Sequence, residues 1–273
     1  MDADMSTAIE LLPNGRERKA DTRQRLITER VVAQGSCTAQ ELATEFGVSI
    51  MTIHRDLDEL QRRGIVRKFH GGVTAQPSGV FEARMSHRLT SKAAEKSIIA
   101  RAALKYVEPG MSVLLDDSTT ILHMIPGLAE LTPLYVATTF LGGIKRLVDL
   151  SDDSDLRVIA IGGRYDALHD SFVGAQAIDQ IGEIRADALF MSTSSLSATD
   201  AFHQEEHIMS IKRAMVKAAT KRYLLADNTK LGKVALHKIV SLTEFDLVIV
   251  DDQADPSVLA AWDAAGIRYE IAR

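Results

Sequence analysis

Five short stretches of the chain place hydroxyl, carboxylate and ammonium groups directly after apolar runs. They are Asp116-Asp117-Ser118-Thr119-Thr120, Thr138-Thr139, Gly162-Gly163-Arg164, Ser192-Thr193-Ser194-Ser195 and Asp227-Asn228-Thr229-Lys230. Hydroxyls and free amides at a helix start form an anion cradle, and glycines let backbone approach a ligand closely. Carboxylates only accept hydrogen bonds and so suit sugar hydroxyls, while Lys212 and Lys230 supply charge for a phosphate. One such stretch is usually no more than a helix cap. Several on the same edge of one sheet imply a pocket for a small polyhydroxylated anion. Its expected contacts are Asp116, Ser118, Thr119, Thr120, Thr138, Thr139, Gly162, Gly163, Lys212, Asp227 and Lys230.

The elements that must hold these residues are short apolar strands alternating with helices. Strands are expected at Ser112–Leu115, Leu134–Ala137, Arg157–Ile161, Ala188–Met191, Tyr223–Ala226, Leu247–Val250 and Arg268–Ile271, with Ala235–Val240 as a further edge strand. Helices are expected over Ala93–Tyr106, Ile121–Leu131, Phe140–Leu150, Ala175–Ile184, Glu205–Lys221 and Val258–Ala265. Fully apolar strands separated by helices describe a mostly parallel sheet covered on both faces. Ligands of such sheets sit beyond the carboxyl ends of the strands.

A second group of residues has a different chemistry. Thr38 followed by Glu41 has capping-box spacing, Leu42, Ala43 and Phe46 make one apolar side, and Gly47 can end that helix. Ser49 caps a second helix in which Ile53, Leu57 and Leu60 share a face. Its other face carries Met51, Arg55, Asp58 and Arg62, flanked by Thr52 and His54. Ile65 to Phe69, His70-Gly71-Gly72 and Val73-Thr74 then read as a hairpin bearing Arg67 and Lys68. This is a winged helix-turn-helix, a module that reads base edges in duplex DNA. The expected DNA contacts are Ser49, Met51, Thr52, His54, Arg55, Arg62, Arg67, Lys68 and His70.

Residues 1–19 are expected to be a flexible lead-in, 20–74 the winged domain, 75–91 an aperiodic linker and 92–273 the α/β domain. Residues 16–74 hold 11 Lys and Arg against 8 Asp and Glu, and the remainder 21 against 29. A mildly basic segment on an acidic body fits one nucleic-acid face. The single cysteine, Cys37, rules out an intramolecular disulfide and fits a reducing cytoplasm. No apolar run reaches the ~20 residues that span a bilayer, and no signal peptide is evident.

The run ELATEFGVSIMTIHRDLDELQRRGIVRKFHGG resembles the amino-terminal signature of the DeoR family of bacterial sugar-responsive transcription factors. Its matching parts are ELA…FGVS, the core of Thr52, Ile53, Arg55, Asp56 and Leu57, and the closing HGG. His54-Arg55 stands where the family has two arginines. LLDDSTT, IGGRYD, FVGAQA, SIKRAMVKAA and LADNTKLGKVAL extend the resemblance over most of residues 20–252, with Ser118 in place of a family glycine and Thr138-Thr139 in place of Thr-Asn. The resemblance implies an α/β sensor domain related to ribose-phosphate isomerase and coenzyme A transferase folds, binding a phosphorylated sugar or polyol. By analogy Asp116, Thr119, Thr120, Thr138, Lys212, Asp227 and Lys230 face that effector.

The expectation is a repressor of a carbohydrate or polyol operon, acting on operator DNA as a homodimer or homotetramer and released by its effector. The alternative is a sugar-phosphate isomerase or transferase with an accessory DNA-binding domain. No cofactor and no metal are expected. His203, Glu205, Glu206 and His207 form the one cluster of ligand-type side chains, and their spacing matches no zinc-protease pattern.

Overall fold

Thr38 and Glu41 form the capping box that their spacing predicts. The Thr38 amide donates to Glu41 Oε2 at 2.7 Å, and the Glu41 amide to Thr38 Oγ1 at 3.1 Å. The structure, a computed structural model, describes residues 20, 22–24, 26–28, 30, 31, 36–62, 65–69, 72–75, 85–152 and 154–273. The expected lead-in, most of the expected linker and His70 lie outside these residues. The chain divides into two units, residues 1–77 and 78–273.

In the first unit, helix α1 takes the described residues between 20 and 31. It is followed by β1 (Ser36–Cys37), α2 (Ala39–Phe46), α3 (Ile50–Arg62), β2 (Val66–Phe69) and β3 (Gly72–Ala75). Gly47, at φ 62°, closes α2 in the left-handed region. Ser49 Oγ accepts from the Thr52 amide at 3.2 Å and so starts α3. Ile53, Leu57 and Leu60 pack with Ile27, Val31, Leu42, Val66 and Val73. The strands pair antiparallel in the order β1-β3-β2, and β2-β3 is the wing. A Cβ at Gly72 would meet the Cys37 carbonyl at 2.8 Å and the Phe69 ring at 2.7 Å, so the sheet closes only over glycine. One tie was not read from the sequence. Asp56 is buried and receives Arg23 Nε at 2.6 Å, Arg23 Nη2 at 3.2 Å and Gln24 Nε2 at 3.0 Å, locking α3 to α1.

The second unit begins with α4 (Met85–Thr90) and α5 (Ala93–Leu104). β4 (Ser112–Leu115), α6 (Thr119–Leu122), α7 (Ile125–Leu128), β5 (Leu134–Thr138), α8 (Leu141–Ser151) and β6 (Leu156–Ala160) follow. A hairpin of β7 (Arg164–Asp166) and β8 (Ser171–Val173) leads to α9 (Ala175–Glu183) and β9 (Ala186–Ser192). Then come β10 (Ser195–Leu196), β11 (Asp200–His203), α10 (Glu206–Ala218), β12 (Ala219–Ala226), β13 (His237–Ser241), β14 (Leu247–Asp251), α11 (Pro256–Ala264) and β15 (Tyr269–Ala272). Seven strands form one sheet in the order β15-β14-β12-β9-β4-β5-β6, every pairing parallel.

Alternate residues of the strands enter two cores. Leu114, Leu189, Met191, Leu224 and Val250 face α9, α10 and the buried Trp262 of α11. Val113, Leu115, Phe190, Leu225 and Ile249 face α5 to α8. Both faces of the sheet are covered, which is why its strands read as continuous apolar runs.

Three expectations need correction. Residues 85–90 of the expected linker are helical, as α4. The helix expected over Ile121–Leu131 is broken into α6, α7 and a 3-10 turn, because Pro126 has no amide with which to continue a helix. The strand near Ala235–Val240 is β13, which joins β10 and β11 in a separate three-stranded sheet and does not extend the main one. Among the described residues no helix is long and apolar enough to cross a membrane.

Replacing Asp56 by Ala removes both the partner of Arg23 and the tie between α1 and α3. It is expected to cost about 3 kcal/mol. Calorimetry should show that loss in the transition of the N-terminal unit, with the α/β unit unchanged.

Candidate functional site

The chain fills the sheet from β4 outward to β6, then returns to the other side of β4 with β9. The β4/β9 boundary is therefore the topological switch point, where the loops beyond the strands diverge and leave a crevice. A cleft of about 390 Å³, counting its open mouth, lies there. Ser118, Thr119 and Thr120 line it from the end of β4, Ser192 and Thr193 from β9, and Asp227 and Lys230 from β12. Arg88 of α4, Lys96 of α5, Asp117, His203 and Lys212 complete the wall.

Charge decides what this cleft can hold. Arg88, Lys96, Lys212 and Lys230 face two carboxylates, Asp117 and Asp227. Lys212 is buried, and its Nζ donates to Asp116 Oδ2 at 2.5 Å and Asp117 Oδ1 at 3.2 Å. Burial pushes the Asp117 carboxyl up, but Lys212, His169, Arg88 and His203 outweigh that and hold it below the usual carboxylate value. Asp117 is therefore an anion near neutral pH. Lys96 is also buried, donating to the carbonyls of Arg88 at 2.5 Å and Ser91 at 2.7 Å. Burial lowers its pKa to about 8.

The expected effector contacts separate into groups. Ser118, Thr119, Thr120, Lys212, Asp227 and Lys230 come together in the cleft. Asp116 lies beneath it, fully buried, with one carboxylate oxygen accepting from the Ser118 amide at 3.0 Å. The other accepts from the Ser192 amide at 2.8 Å and from Lys212. Its bonds go to three residues that line the cleft and hold its walls together.

Thr138, Thr139, Gly162 and Gly163 follow β5 and β6, the strands beyond β4 on the side away from the switch point. Thr138 Oγ1 accepts from the Phe140 amide at 3.1 Å, and Thr139 Oγ1 is 3.0 Å from Ser171 Oγ. The Gly162 amide donates to Gln180 Oε1 at 3.1 Å. Gly163, at φ 154°, lies where a Cβ would be 2.8 Å from the Val173 carbonyl, so it serves the close approach of the hairpin. Two cleft residues, Arg88 and Lys96, were not read from the sequence. The first sits in the stretch taken for a linker, and the second in a helix whose pattern indicated only packing.

In the first unit, Ser49, Met51, Arg55, Arg62 and Arg67 are exposed, and Thr52, His54 and Lys68 are half-buried. Ser49 Oγ and Thr52 Oγ1 are 2.9 Å apart, Lys68 pairs with Asp58, and Arg62 pairs with Glu59. The outer face of α3 and the wing are thus polar and laced by surface ion pairs that a phosphate can displace.

Residues 23–78 match the model of the DeoR-like helix-turn-helix domain, and residues 91–252 that of the DeoR C terminal sensor domain. The chain belongs to the DeoR family. The HTH-type transcriptional regulator YgbI of Escherichia coli (strain K12) is 33% identical, over 84% of this chain and 89% of its own. The glycerol-3-phosphate regulon repressor of the same organism is 27% identical, over 93% of this chain and 99% of its own. Among solved structures, a D-ribose-5-phosphate isomerase in complex with phospho-erythronic acid matches 50% of this chain and 52% of its own, at TM-score 0.37 and 16% identity. That likeness is too loose to carry chemistry.

Ser118, which departs from the DeoR pattern, has a local task here. Its Oγ accepts from the Ile121 amide at 3.2 Å and so starts α6. The His/Glu cluster of this DeoR chain is also rearranged from its sequence grouping. Glu205 and His207 meet Asp166 and His169 of the β7-β8 hairpin, whereas Glu206 is exposed and His203 faces the cleft.

Lys212→Met should leave two buried carboxylates without their cation and cost about 3–5 kcal/mol. Thermal unfolding of the α/β unit checks this. Lys230→Met, at a half-exposed position, should change its melting temperature little.

Proposed function

We propose that this DeoR-family chain represses a carbohydrate or polyol catabolic operon, and that a phosphorylated sugar or polyol in the switch-point cleft releases it from operator DNA. The observation that carries the reading is the cleft itself, where four cations and three hydroxyls from Ser118, Thr119 and Thr120 converge. The cations and hydroxyls suit a phosphate, and Asp227 suits a hydroxyl of the attached polyol. The relative named as a glycerol-3-phosphate regulon repressor, matched across nearly its whole length, supports that effector class.

On this reading the exposed side of α3 enters the major groove, the wing meets phosphates, and the protein works in the cytoplasm. A homodimer or homotetramer would read paired half-sites about one helical turn apart, ~34 Å, or a multiple of it. Release requires that the effector bind the free form more tightly than the DNA-bound form.

Fluorescence anisotropy with the chain's own upstream region, with and without a panel of sugar and polyol phosphates, tests the proposal. A salt-sensitive, sequence-selective complex that one phosphate ester dissociates is the expected result. Arg55→Ala should cost ~1–3 kcal/mol on the preferred site and relax base choice, as loss of a bidentate guanine contact does. Arg67→Ala should weaken all sequences alike and flatten the salt slope. Full selectivity in Arg55→Ala would refute the assignment of the recognition helix.

Effector affinity should also depend on pH. The free protein loses the Lys96 proton above about 8, whereas a bound phosphate favours the charged form and raises that pKa. Binding therefore takes up a proton as pH passes that value, and affinity falls. Calorimetry in buffers of different ionisation heat reads the uptake, which Lys96→Met should abolish.

A further inference from the structure

We propose that Asp166, His169, Glu205 and His207 form a binding site for a zinc-type divalent metal ion beside the effector cleft. Asp166 ends β7 and His169 lies in the turn before β8, while Glu205 immediately precedes α10 and His207 is in its first turn. The fold therefore brings together two pairs separated by about forty residues of chain. One donor atom from each of the four side chains lies within 4.8 Å of all the others.

His207 Nε2 is 2.8 Å from Asp166 Oδ2 and 3.2 Å from Glu205 Oε2. His169 Nδ1 is 3.4 Å from Asp166 Oδ1 and 3.9 Å from Glu205 Oε2. A tetrahedral ion with bonds of ~2.0–2.1 Å to nitrogen and oxygen holds its ligands ~3.4 Å apart, so these separations bracket the required edges. Small side-chain adjustments would centre an ion among them.

The donor set selects the class of ion. Two imidazoles with two carboxylates suit zinc and its first-row neighbours, whereas calcium and magnesium take oxygen donors. The surroundings also fit a ligand shell. The amides of Leu168 and His169 donate to Asp166 Oδ1 at 2.9 and 3.3 Å and set that carboxylate's orientation. The Glu205 amide donates to His203 Nδ1 at 3.1 Å, and the His203 ring lies 5.6 Å from that of His169. An ion would thus fix the 203–207 segment, whose His203 lines the cleft. The site does not depend on the effector's identity.

The test uses the tag-free full chain, stripped with a chelator, loaded with zinc or manganese and desalted before elemental analysis. About one zinc per chain is expected, with a raised melting temperature and proton release on binding. His169→Ala and His207→Ala should each cut retention at least tenfold, with folding checked by circular dichroism. Glu206→Gln, at the exposed neighbour, and Cys37→Ser should retain zinc as the parent does. A parent chain that holds no metal at ~100 µM, well above what a structural zinc site requires, overturns the proposal. So does retention by both histidine variants equal to the parent's, or loss of retention in Cys37→Ser.

Discussion

A single ammonium group, that of Lys212, holds the α/β unit's cleft in shape. It is buried with Asp116 and Asp117 at 2.5 and 3.2 Å, and an unpaired charge at that depth would cost several kcal/mol. Lys212 comes from α10, the carboxylates from the end of β4, and Asp116 also accepts from the Ser192 amide at the end of β9. The strand ends on both sides of the switch point and the helix above them are thus joined by one charged cluster. Two carboxylates around one lysine leave a net negative charge, which accounts for Arg88, Lys96 and Lys230 nearby.

The DNA-binding unit rests on a smaller version of the same device. Asp56 is buried and its oxygens are taken by Arg23 and Gln24, so α3 is held at a fixed angle to α1. Its outer face uses charge differently. The pairs Lys68 with Asp58 and Arg62 with Glu59 lie at the surface, each with one exposed partner, and such pairs contribute ~0–1 kcal/mol each. Buried pairs make the scaffold, and exposed pairs leave cations that can exchange a carboxylate for a phosphate.

The β7-β8 hairpin brings together side chains that are far apart in the chain. Asp166 and His169 are carried across to the start of α10, where Glu205 and His207 stand. The burial of Asp166 pushes its carboxyl up, yet the hydrogen bond from His207, the nearby His169 and two amides bring it below the usual value. A carboxylate held ionised against two imidazoles is a strong local electrostatic feature. It lies next to the cleft, since the Glu205 amide donates to His203, which lines the cleft.

Local patterns were enough to determine most elements of both units, though not α4, the break at Pro126 or the short strands β7, β8, β10 and β11. The capping box at Thr38 and Glu41, the left-handed Gly47, the buried spacing of Ile53, Leu57 and Leu60, and the apolar strands all depend on neighbours a few residues apart. The hydroxyl-rich strand ends were equally visible, since they directly follow apolar runs in the chain. Which of those ends meet was not. That depends on strand order, and the reversal after β6 puts β9 and not β5 on the cleft side of β4, leaving Thr138, Thr139, Gly162 and Gly163 outside. The same reason hid Arg88, Lys96, Asp166 and His169. Lys96 bonds locally, to the Arg88 and Ser91 carbonyls, but the groups that these residues face across the cleft or the hairpin lie far away in sequence, and only packing of the whole unit brings them together.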